Sequence, residues 1–270
     1  MKKLKQILKT YFLSDIHLGF PTPEKSLIRE KKLVAFLDEI KTDADEIFFV
    51  GDIFDFWWEY KKVVPRGFVR FLGKVAELAD FGIKISFFTG NHDIWLKNYL
   101  PEELGVKIHT KPIEYSLYGK SFYIAHGDGL GDGDWQYKVL KKIFTSKLLQ
   151  WFYSRIHPNS ALGFGHRWSK NRGKKEKYID FLGEDKEHLI LYSKEILKQK
   201  HYDYFLFGHR HIPMIYPISQ NTKYLNTGDW ISNFTFIIAD NSGVELMTYK
   251  TGKIEKFSGK ISNEGRSFIV

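Results

Sequence analysis

Cysteine is absent from the 270-residue chain, and no stretch of the chain stays apolar for long. Without cysteine there can be no disulfide, no thiolate metal ligand and no cysteine nucleophile. No window reaches the ~18 consecutive apolar residues of a membrane-spanning helix. Residues 1–15 are basic but lack the apolar stretch of a signal peptide. We therefore expect a soluble, cytoplasmic chain.

The positive charge is concentrated in one segment. The chain has a formal net charge of +9, and its 43% hydrophobic and 17% aromatic residues suffice for one large domain. Residues 138–177 hold eleven lysines and arginines and one acid, Glu176, so this segment carries +10 and the remainder −1. Phosphorylated ligands, anionic lipid headgroups or nucleic acid could each bind such a segment.

Short apolar runs alternate with helical patterns. Five runs end in polar residues, at 11–13, 47–50, 83–88, 122–125 and 204–207. Their length and composition predict buried strands. Two intervening segments show apolar residues at helical spacing: Leu33, Phe36, Leu37 and Ile40 in the first, and Phe68, Leu72, Val75, Ala76 and Ala79 in the second. This alternation predicts an α/β core with helices covering the sheets.

The later part of the chain departs from this alternation. Residues 118–120 predict a hairpin turn, and the runs 234–240 and 244–250 predict a second, mixed sheet packed on the first. One helical face is apolar: Leu140, Phe144, Leu148, Trp151 and Phe152. Residues 157–175 read as an irregular basic loop. We predict that residues 135–177 form a helical, basic cap inserted into a core of residues 1–134 and 178–270.

Five polar clusters follow the five predicted strands. They are Asp15-Ile16-His17, Gly51-Asp52, Gly90-Asn91-His92-Asp93, His126-Gly127-Asp128 and Gly208-His209-Arg210-His211. Each cluster alone is compatible with a polar turn that ends a strand. Together they indicate one site, because loops converge at the carboxyl ends of strands in α/β sheets. Mixed oxygen and nitrogen donors suit manganese, iron or zinc.

These five blocks resemble the calcineurin-like metallophosphoesterase superfamily. The resemblance implies a four-layer α/β/β/α sandwich with two divalent metal ions at the strand ends. It assigns one metal to Asp15, His17, Asp52 and His211. It assigns the other to Asp52, Asn91, His126 and His209, with Asp52 bridging. Two metals about 3.5–4 Å apart can activate water and neutralise phosphate oxygens during in-line displacement.

The remaining polar residues of the clusters have other expected roles. His92 is not needed as a ligand, so we expect it to contact the phosphate or to protonate the leaving oxygen. Asp93 would orient His92 through its second ring nitrogen. Asp128 would support the ligands without binding metal.

The cap narrows the resemblance. Taken together, the cap, the N-terminal segment FLSDIHLG and the segment HGDGLGDGD resemble the corresponding parts of the UDP-2,3-diacylglucosamine diphosphatases of lipid A biosynthesis. That family implies release of UMP from a lipid-linked nucleotide, manganese as the metal, and peripheral attachment to the inner face of the cytoplasmic membrane through the cap. Its substrate contacts would fall on Tyr137, Arg167, Ser169 and Lys170. The chain has GNHD where best-known members have GNRD, and histidine at this position is typical of general phosphoesterases.

Two alternatives remain open from the sequence. A broad phosphodiesterase or phosphoprotein phosphatase would have an open site and would depend little on residues 135–177. A nuclease or nucleic-acid-binding protein would need a basic groove that follows a long phosphate backbone. The charge here is confined to the one amphipathic insertion, so we expect no nucleic-acid partner.

Overall fold

The computed structural model describes residues 8–132, 135–173, 178–179, 181–258 and 268–269. The helices are α1 (Pro23–Ile40), α2 (Val69–Asp80), α3 (Tyr99–Leu104), α4 (Trp135–Thr145), α5 (Lys147–Tyr153), α6 (Pro158–Gly173) and α7 (His188–Leu197). The strands are β1 (Lys9–Leu13), β2 (Ala44–Val50), β3 (Lys84–Phe88), β4 (Lys107–His109), β5 (Ile113–Leu117), β6 (Lys120–Ile124), β7 (Tyr178–Ile179), β8 (Tyr204–Phe207), β9 (Met214–Pro217), β10 (Lys223–Asn226), β11 (Thr235–Asp240), β12 (Gly243–Lys250), β13 (Lys253–Lys256) and β14 (Phe268–Ile269).

Two sheets form the centre of the molecule. The first has the strand order β13-β12-β11-β1-β2-β3-β4, and the second has the order β5-β6-β8-β10-β9. Strands β1 to β4 are parallel, as are β6, β8 and β10. The five predicted apolar runs are β1, β2, β3, β6 and β8, so all five strand predictions are confirmed. Their carboxyl ends are the ends from which the polar clusters extend.

Apolar contacts divide the molecule into four layers. One cluster lies between the sheets and joins Phe12 and Phe48 of the first sheet to Phe122 of the second. The stacked Phe12 and Phe48 rings have centroids 5.1 Å apart. A second cluster packs α1 and α2 on the outer face of the first sheet, and a third packs α7 on the outer face of the second. This is the expected α/β/β/α sandwich.

The C-terminal strands lie in a different sheet from the one predicted. Strands β11, β12 and β13 extend the first sheet, because β11 pairs antiparallel with β1 and places Phe12 opposite Ile237. The second sheet comes instead from β5, β6, β8, β9 and β10. The predicted hairpin turn joins β5 to β6, where Tyr118 and Gly119 both have positive φ.

Both predicted core helices are present, and one buries a shifted face. In α1 the predicted residues Leu33, Phe36, Leu37 and Ile40 are all buried. In α2 the buried residues are Phe71, Val75 and Leu78. Of the predicted stripe, only Val75 is buried. Phe68, Leu72 and Ala79 are partly buried and contact the edge of the core. Val75 lies at the centre of the true face, and Phe71 and Leu78 complete it at helical spacing.

Helices α4, α5 and α6 make up the cap helices. The predicted long amphipathic helix is broken at Ser146, whose side chain caps α5. The predicted irregular loop at 157–175 is wrong, because α6 occupies Pro158–Gly173. Ala161, Gly165 and Ser169 are buried along one face of α6, and a Cβ on Gly165 would overlap the ring of Phe56. Small residues therefore let this helix lie directly on the core. Residues 174–177 of the predicted cap lie outside the described residues.

Candidate active site

The polar clusters converge at the carboxyl ends of the two sheets. Asp15 and His17 follow β1, Asp52 follows β2, and Asn91 follows β3. His126 follows β6 and the two remaining histidines follow β8. Five expected metal ligands have positive φ although none is glycine: Asp15, His17, Asp52, His209 and His211. This conformation costs free energy for such residues and is concentrated at functional sites.

The expected ligands form two adjoining groups. Asp15, His17 and His211 present ligand atoms within 4.8 Å of one another, and so do Asp52, His126 and His209. His211 Nε2 lies 3.1 Å from Asp15 Oδ1. Oδ2 of Asp52 lies 3.7 Å from His17 Nε2 and 3.4 Å from His126 Nε2. The carboxylate of Asp52 thus stands between the groups, as a bridging ligand would.

Several atoms at the centre of the site are buried without a hydrogen-bond partner in the described part of the chain. They are His17 Nε2, Asn91 Oδ1 and His126 Nε2. Buried polar atoms normally have partners, because leaving one unpaired costs about 1–3 kcal/mol. All three belong to residues in the expected ligand sets and carry donor types that bind divalent cations. The residues present therefore fit two metal ions.

The opposite atoms of the same side chains are held by the protein. His126 Nδ1 lies 2.8 Å from the carbonyl oxygen of Val50, which can only accept, so Nδ1 carries a hydrogen and Nε2 is the nitrogen that would bind metal. Asp15 Oδ2 accepts from the backbone N–H of His209 at 2.9 Å. Asp52 Oδ1 accepts from the N–H of His92 at 2.8 Å. Each side chain is thereby aimed at the centre.

Charge in the site is arranged in acid–base pairs. Burial disfavours charge on His126, but the carboxylate of Asp52 outweighs it and raises the pKa of His126 to about 10. In the same way, burial opposes and Asp15 favours the charged form of His211, whose pKa rises to about 9. Burial also opposes ionisation of Asp15, yet His211 lowers its pKa to about 2. Burial opposes ionisation of Asp52 as well, but His126 holds its pKa well below the usual range, so Asp15 and Asp52 are ionised and able to receive cations.

His92 lies beside the ligands, and its surroundings differ from those expected. Its Nδ1 is 2.9 Å from the backbone oxygen of Asp55 and 3.1 Å from Ser169 Oγ. The carboxylate of Asp93, expected to orient His92, instead accepts backbone N–H groups from the loop after β2 and from Gly90, including that of Ile53 at 2.8 Å. Asp93 thus fixes the two loops that carry Asp52 and Asn91, and its predicted contact with His92 is wrong.

Asp55 is a site residue that the sequence patterns did not reveal. Its side chain is 2% exposed, and Oδ1 lies 3.7 Å from His17 Nδ1 and 3.6 Å from His92 Nδ1. Burial opposes its ionisation, but His17, followed by His92 and Ser169, lowers the pKa of this carboxyl. A second aspartate three residues after Asp52, between aromatic residues, is the signal that could have identified it.

The four residues expected to contact substrate lie in different surroundings. The buried hydroxyl of Tyr137 donates to Asp128 Oδ2 at 2.7 Å, and Lys141 Nζ lies 2.6 Å from the same oxygen. Ser169 contacts His92. Arg167 is exposed, and its Nε donates to the backbone oxygen of Gly163 within α6. Lys170 has its backbone in α6, but its side chain lies outside the described residues. Asp128 was expected to support the metal ligands. Its contacts with Tyr137 and Lys141 connect the loop after β6, which carries His126, to α4.

An apolar chamber opens beside His92. It has a volume of about 380 Å³ and lies between the core loops and the cap helices. Asp55, Asn91, His92 and Ser169 form its polar end. Its other lining residues are largely aromatic or aliphatic: Phe56, Trp58, Trp95, Leu140, Ile143, Phe144, Leu149, Tyr153, Phe164 and Trp168, with Gly165 and Gln150. A chamber of this size and character suits an apolar group attached to a polar one at the ligand cluster.

The fold and the site together define the class of protein. A family model described as calcineurin-like phosphoesterase matches residues 8–213. The chain belongs to the calcineurin-like phosphoesterase family and is a metal-dependent hydrolase.

Named relatives extend the comparison over most of the chain. A UDP-2,3-diacylglucosamine hydrolase of Porphyromonas gingivalis is 37% identical over 252 residues, which cover 88% of this chain and 96% of that protein. A UDP-2,3-diacylglucosamine hydrolase of Shewanella piezotolerans is 23% identical, over 91% of this chain and all of that protein. Among solved structures, Yfce, a phosphoesterase from E. coli, has a TM-score of 0.46 at 14% identity, over 92% of this chain and 96% of that chain. The resemblance expected from the motifs is confirmed.

Proposed function

We propose that the protein hydrolyses the pyrophosphate bond of UDP-2,3-diacylglucosamine and releases UMP and 2,3-diacylglucosamine 1-phosphate. The apolar chamber carries this proposal, because it begins at His92 and Asn91 and could receive an acyl chain while the pyrophosphate lies on the ligand cluster. The names of the relatives from two bacterial genera support the same substrate.

The two ligand groups would hold two divalent metal ions. Asp15, His17, Asp52 and His211 would bind one ion, and Asp52, Asn91, His126 and His209 the other. We propose manganese, which the resemblance to the diphosphatases implies and which carboxylate, amide and imidazole donors suit, as they also suit iron and zinc. Bound there, the ions would neutralise phosphate oxygens and lower the pKa of water. The carbonyl oxygen of Val50 orients His126. The hydroxyl of Ser14 and the backbone N–H of His209 both donate to Asp15 Oδ2 and orient that carboxylate.

His92 would complete the site from the chain itself. The Asp55 carbonyl fixes the hydrogen on Nδ1, which leaves Nε2 as the ring nitrogen that can face the substrate. When protonated, Nε2 can donate to a phosphate oxygen as negative charge moves to the leaving group. A positioned proton donor of this kind contributes about 10²–10⁴-fold to turnover. The apolar walls of the chamber would exclude water from the part of the site that receives the acyl chain.

Hydrolysis in ¹⁸O-labelled water tests both the substrate and the bond broken. Purified protein with manganese and UDP-2,3-diacylglucosamine should release UMP that carries the label, because water attacks the α-phosphorus. The 2,3-diacylglucosamine 1-phosphate should remain unlabelled. Mass spectrometry of both products distinguishes this from attack at the β-phosphorus. Turnover of aryl phosphodiesters with none of the lipid substrate would contradict the proposal and favour a broad phosphodiesterase.

We also propose that the cap helices contact the cytoplasmic membrane surface peripherally. None of the helices in the described ranges has the length and apolarity needed to cross a bilayer. Large apolar side chains on the cap are nevertheless exposed, among them Leu148 (64%) and Trp151 (51%), close to basic residues such as Lys147 and Arg155. Apolar and cationic groups together bind anionic interfaces.

A vesicle sedimentation assay tests the membrane contact. The protein should be found in the pellet with anionic vesicles, and a smaller fraction should be found there with neutral vesicles. A double Leu148→Ser, Trp151→Ser variant that binds equally well would contradict the contact.

A further inference from the structure

Helix α6 approaches the ligand cluster along a face of small residues. Ala161, Gly165 and Ser169 are four residues apart, so they lie on the same side of the helix, and all three are buried. Gly165 packs against Phe56, the residue after Asp55. One turn later, the same face places Ser169 against His92. Ser169 is therefore a cap side chain that reaches His92 from a helix whose position is fixed by close packing.

The hydrogen-bond chemistry at Ser169 has a definite direction. A backbone carbonyl can only accept, so the 2.9 Å contact with Asp55 O places the hydrogen on His92 Nδ1. Ser169 Oγ, 3.1 Å from the same nitrogen, must then accept from it. Ser169 also helps, after His17 and His92, to lower the pKa of the buried Asp55 carboxyl. Ser169 thus joins α6 to the His92 imidazole of a core loop.

We propose that Ser169 is a positioning residue that orients the His92 ring, so that docking of α6 completes the active site. This inference rests on the proposed role of His92. It replaces the expectation that Ser169 binds substrate, because the side chain contacts His92 and is only 4% exposed.

The kinetic test uses two substrates of different size. Ser169→Ala should lower kcat about 10-fold, the loss expected for one hydrogen bond, and should leave KM unchanged. The loss should be the same for UDP-2,3-diacylglucosamine and for bis(p-nitrophenyl) phosphate, which is too small to need the chamber. Ser169→Thr keeps the hydroxyl but adds a methyl group to this closely packed face, so it should recover part of the kcat that Ser169→Ala loses. Ser160→Ala removes an exposed hydroxyl from the same helix and should have no effect.

A double-mutant cycle tests whether the effect passes through His92. If it does, Ser169→Ala should lower turnover in the wild-type background and cause no further loss in the His92→Ala background. Ser169→Cys keeps the volume of the side chain and should lose kcat as Ser169→Ala does, which guards against misfolding. Metal content should remain at two ions per chain in all of these variants.

The possible outcomes separate this inference from the proposed function. A higher KM for the lipid substrate alone, with turnover of the aryl substrate unchanged, would show that Ser169 binds substrate and would overturn the inference. Additive losses in the double mutant would also overturn it. Wild-type protein that cleaves only the aryl substrate, with the Ser169→Ala loss intact, would instead overturn the lipid substrate and leave the positioning role standing.

Discussion

At the scale of single residues, the two candidate metal-ligand groups hold protons that a bound metal ion would displace. Asp52 and Asp15 overcome the effect of burial and raise the pKa of His126 to about 10 and of His211 to about 9. Both imidazoles are therefore protonated at pH 7 in the metal-free protein. Since only neutral imidazole binds metal, loading should release protons, and the apparent affinity should rise with pH up to these values.

Calorimetry can measure this release. At pH 7 the heat of metal binding should depend on the ionisation enthalpy of the buffer, with a slope of about two protons per chain when both groups fill. The apparent affinity should fall steadily as the pH is lowered from 9. A binding heat that is independent of the buffer would show that these histidines are neutral before metal arrives.

Asp52 is the residue whose loss should affect both metals. Asp52→Asn keeps the size of the side chain but removes the charge placed between His17 and His126. Turnover should fall by more than about 100-fold, because even residues that merely support metal ligands contribute 10–100-fold. Mass spectrometry should find less than one metal ion per chain. Asp80→Asn, at an exposed position at the end of α2, should change neither quantity.

The candidate ligand residues could be expected from the sequence because each polar cluster directly follows an apolar run. The residues that contact the His92 ring could not be expected from the sequence. Asp93 is adjacent in sequence, but its carboxylate turns toward backbone N–H groups, and the contacts of His92 come from Asp55 and from Ser169, 77 residues away. Such contacts depend on the packing of loops, which periodicity does not encode.

At the scale of secondary structure, α6 shows why a glycine-rich segment can be mistaken for a loop. Glycine lowers helix propensity by about 1 kcal/mol relative to alanine, and α6 contains three glycines and a terminal proline. Gly165 is required by close packing on Phe56, whereas nothing lies within 4 Å of a Cβ on Gly163. Propensity alone cannot distinguish these two positions, since the difference lies in tertiary contacts.

These two glycines give a matched pair of substitutions with opposite signs. Gly163→Ala should stabilise the protein by about 0.4–1 kcal/mol, because alanine favours the helix and the added methyl group meets no neighbour. Gly165→Ala should destabilise it by about 1–3 kcal/mol, because α6 must move away from Phe56. Denaturant unfolding measures both. Displacement of α6 also moves Ser169, so Gly165→Ala should lower kcat. Equal effects at the two positions would show that α6 does not pack on Phe56.

At the scale of the whole molecule, one apolar layer between two sheets fixes where the ligands meet. Parallel strands from both sheets end at the same edge, so side chains from Asp15 to His211 converge although nearly 200 residues separate them. Strand–helix alternation was sufficient to predict an α/β core with helices covering the sheets, and the resemblance of the five polar clusters to the metallophosphoesterases implied the four layers. It could not assign the C-terminal strands to a sheet, because β11 and β12 are apolar enough to fit either one. Their place is decided by antiparallel pairing with β1, a contact across more than 220 residues.

Convergence of buried carboxylates should also make the stability of the fold depend on bound metal. Asp15, Asp52 and Asp55 are all buried at this edge with lowered pKa values, and cations there would offset their mutual repulsion. A ligand that binds only the folded state at 100 times its dissociation constant stabilises that state by about 2.7 kcal/mol. For a chain of this size, about 1 kcal/mol shifts Tm by roughly 2–4 °C, so removing the metal should lower Tm by several degrees.

Scanning calorimetry measures this shift when Tm is recorded with manganese, after chelation, and after manganese is added back. The Asp52→Asn variant should respond much less to chelation, because it binds less metal. A Tm unchanged by verified loss of metal would show that His126 and His211, in their protonated forms, compensate these carboxylates without any metal.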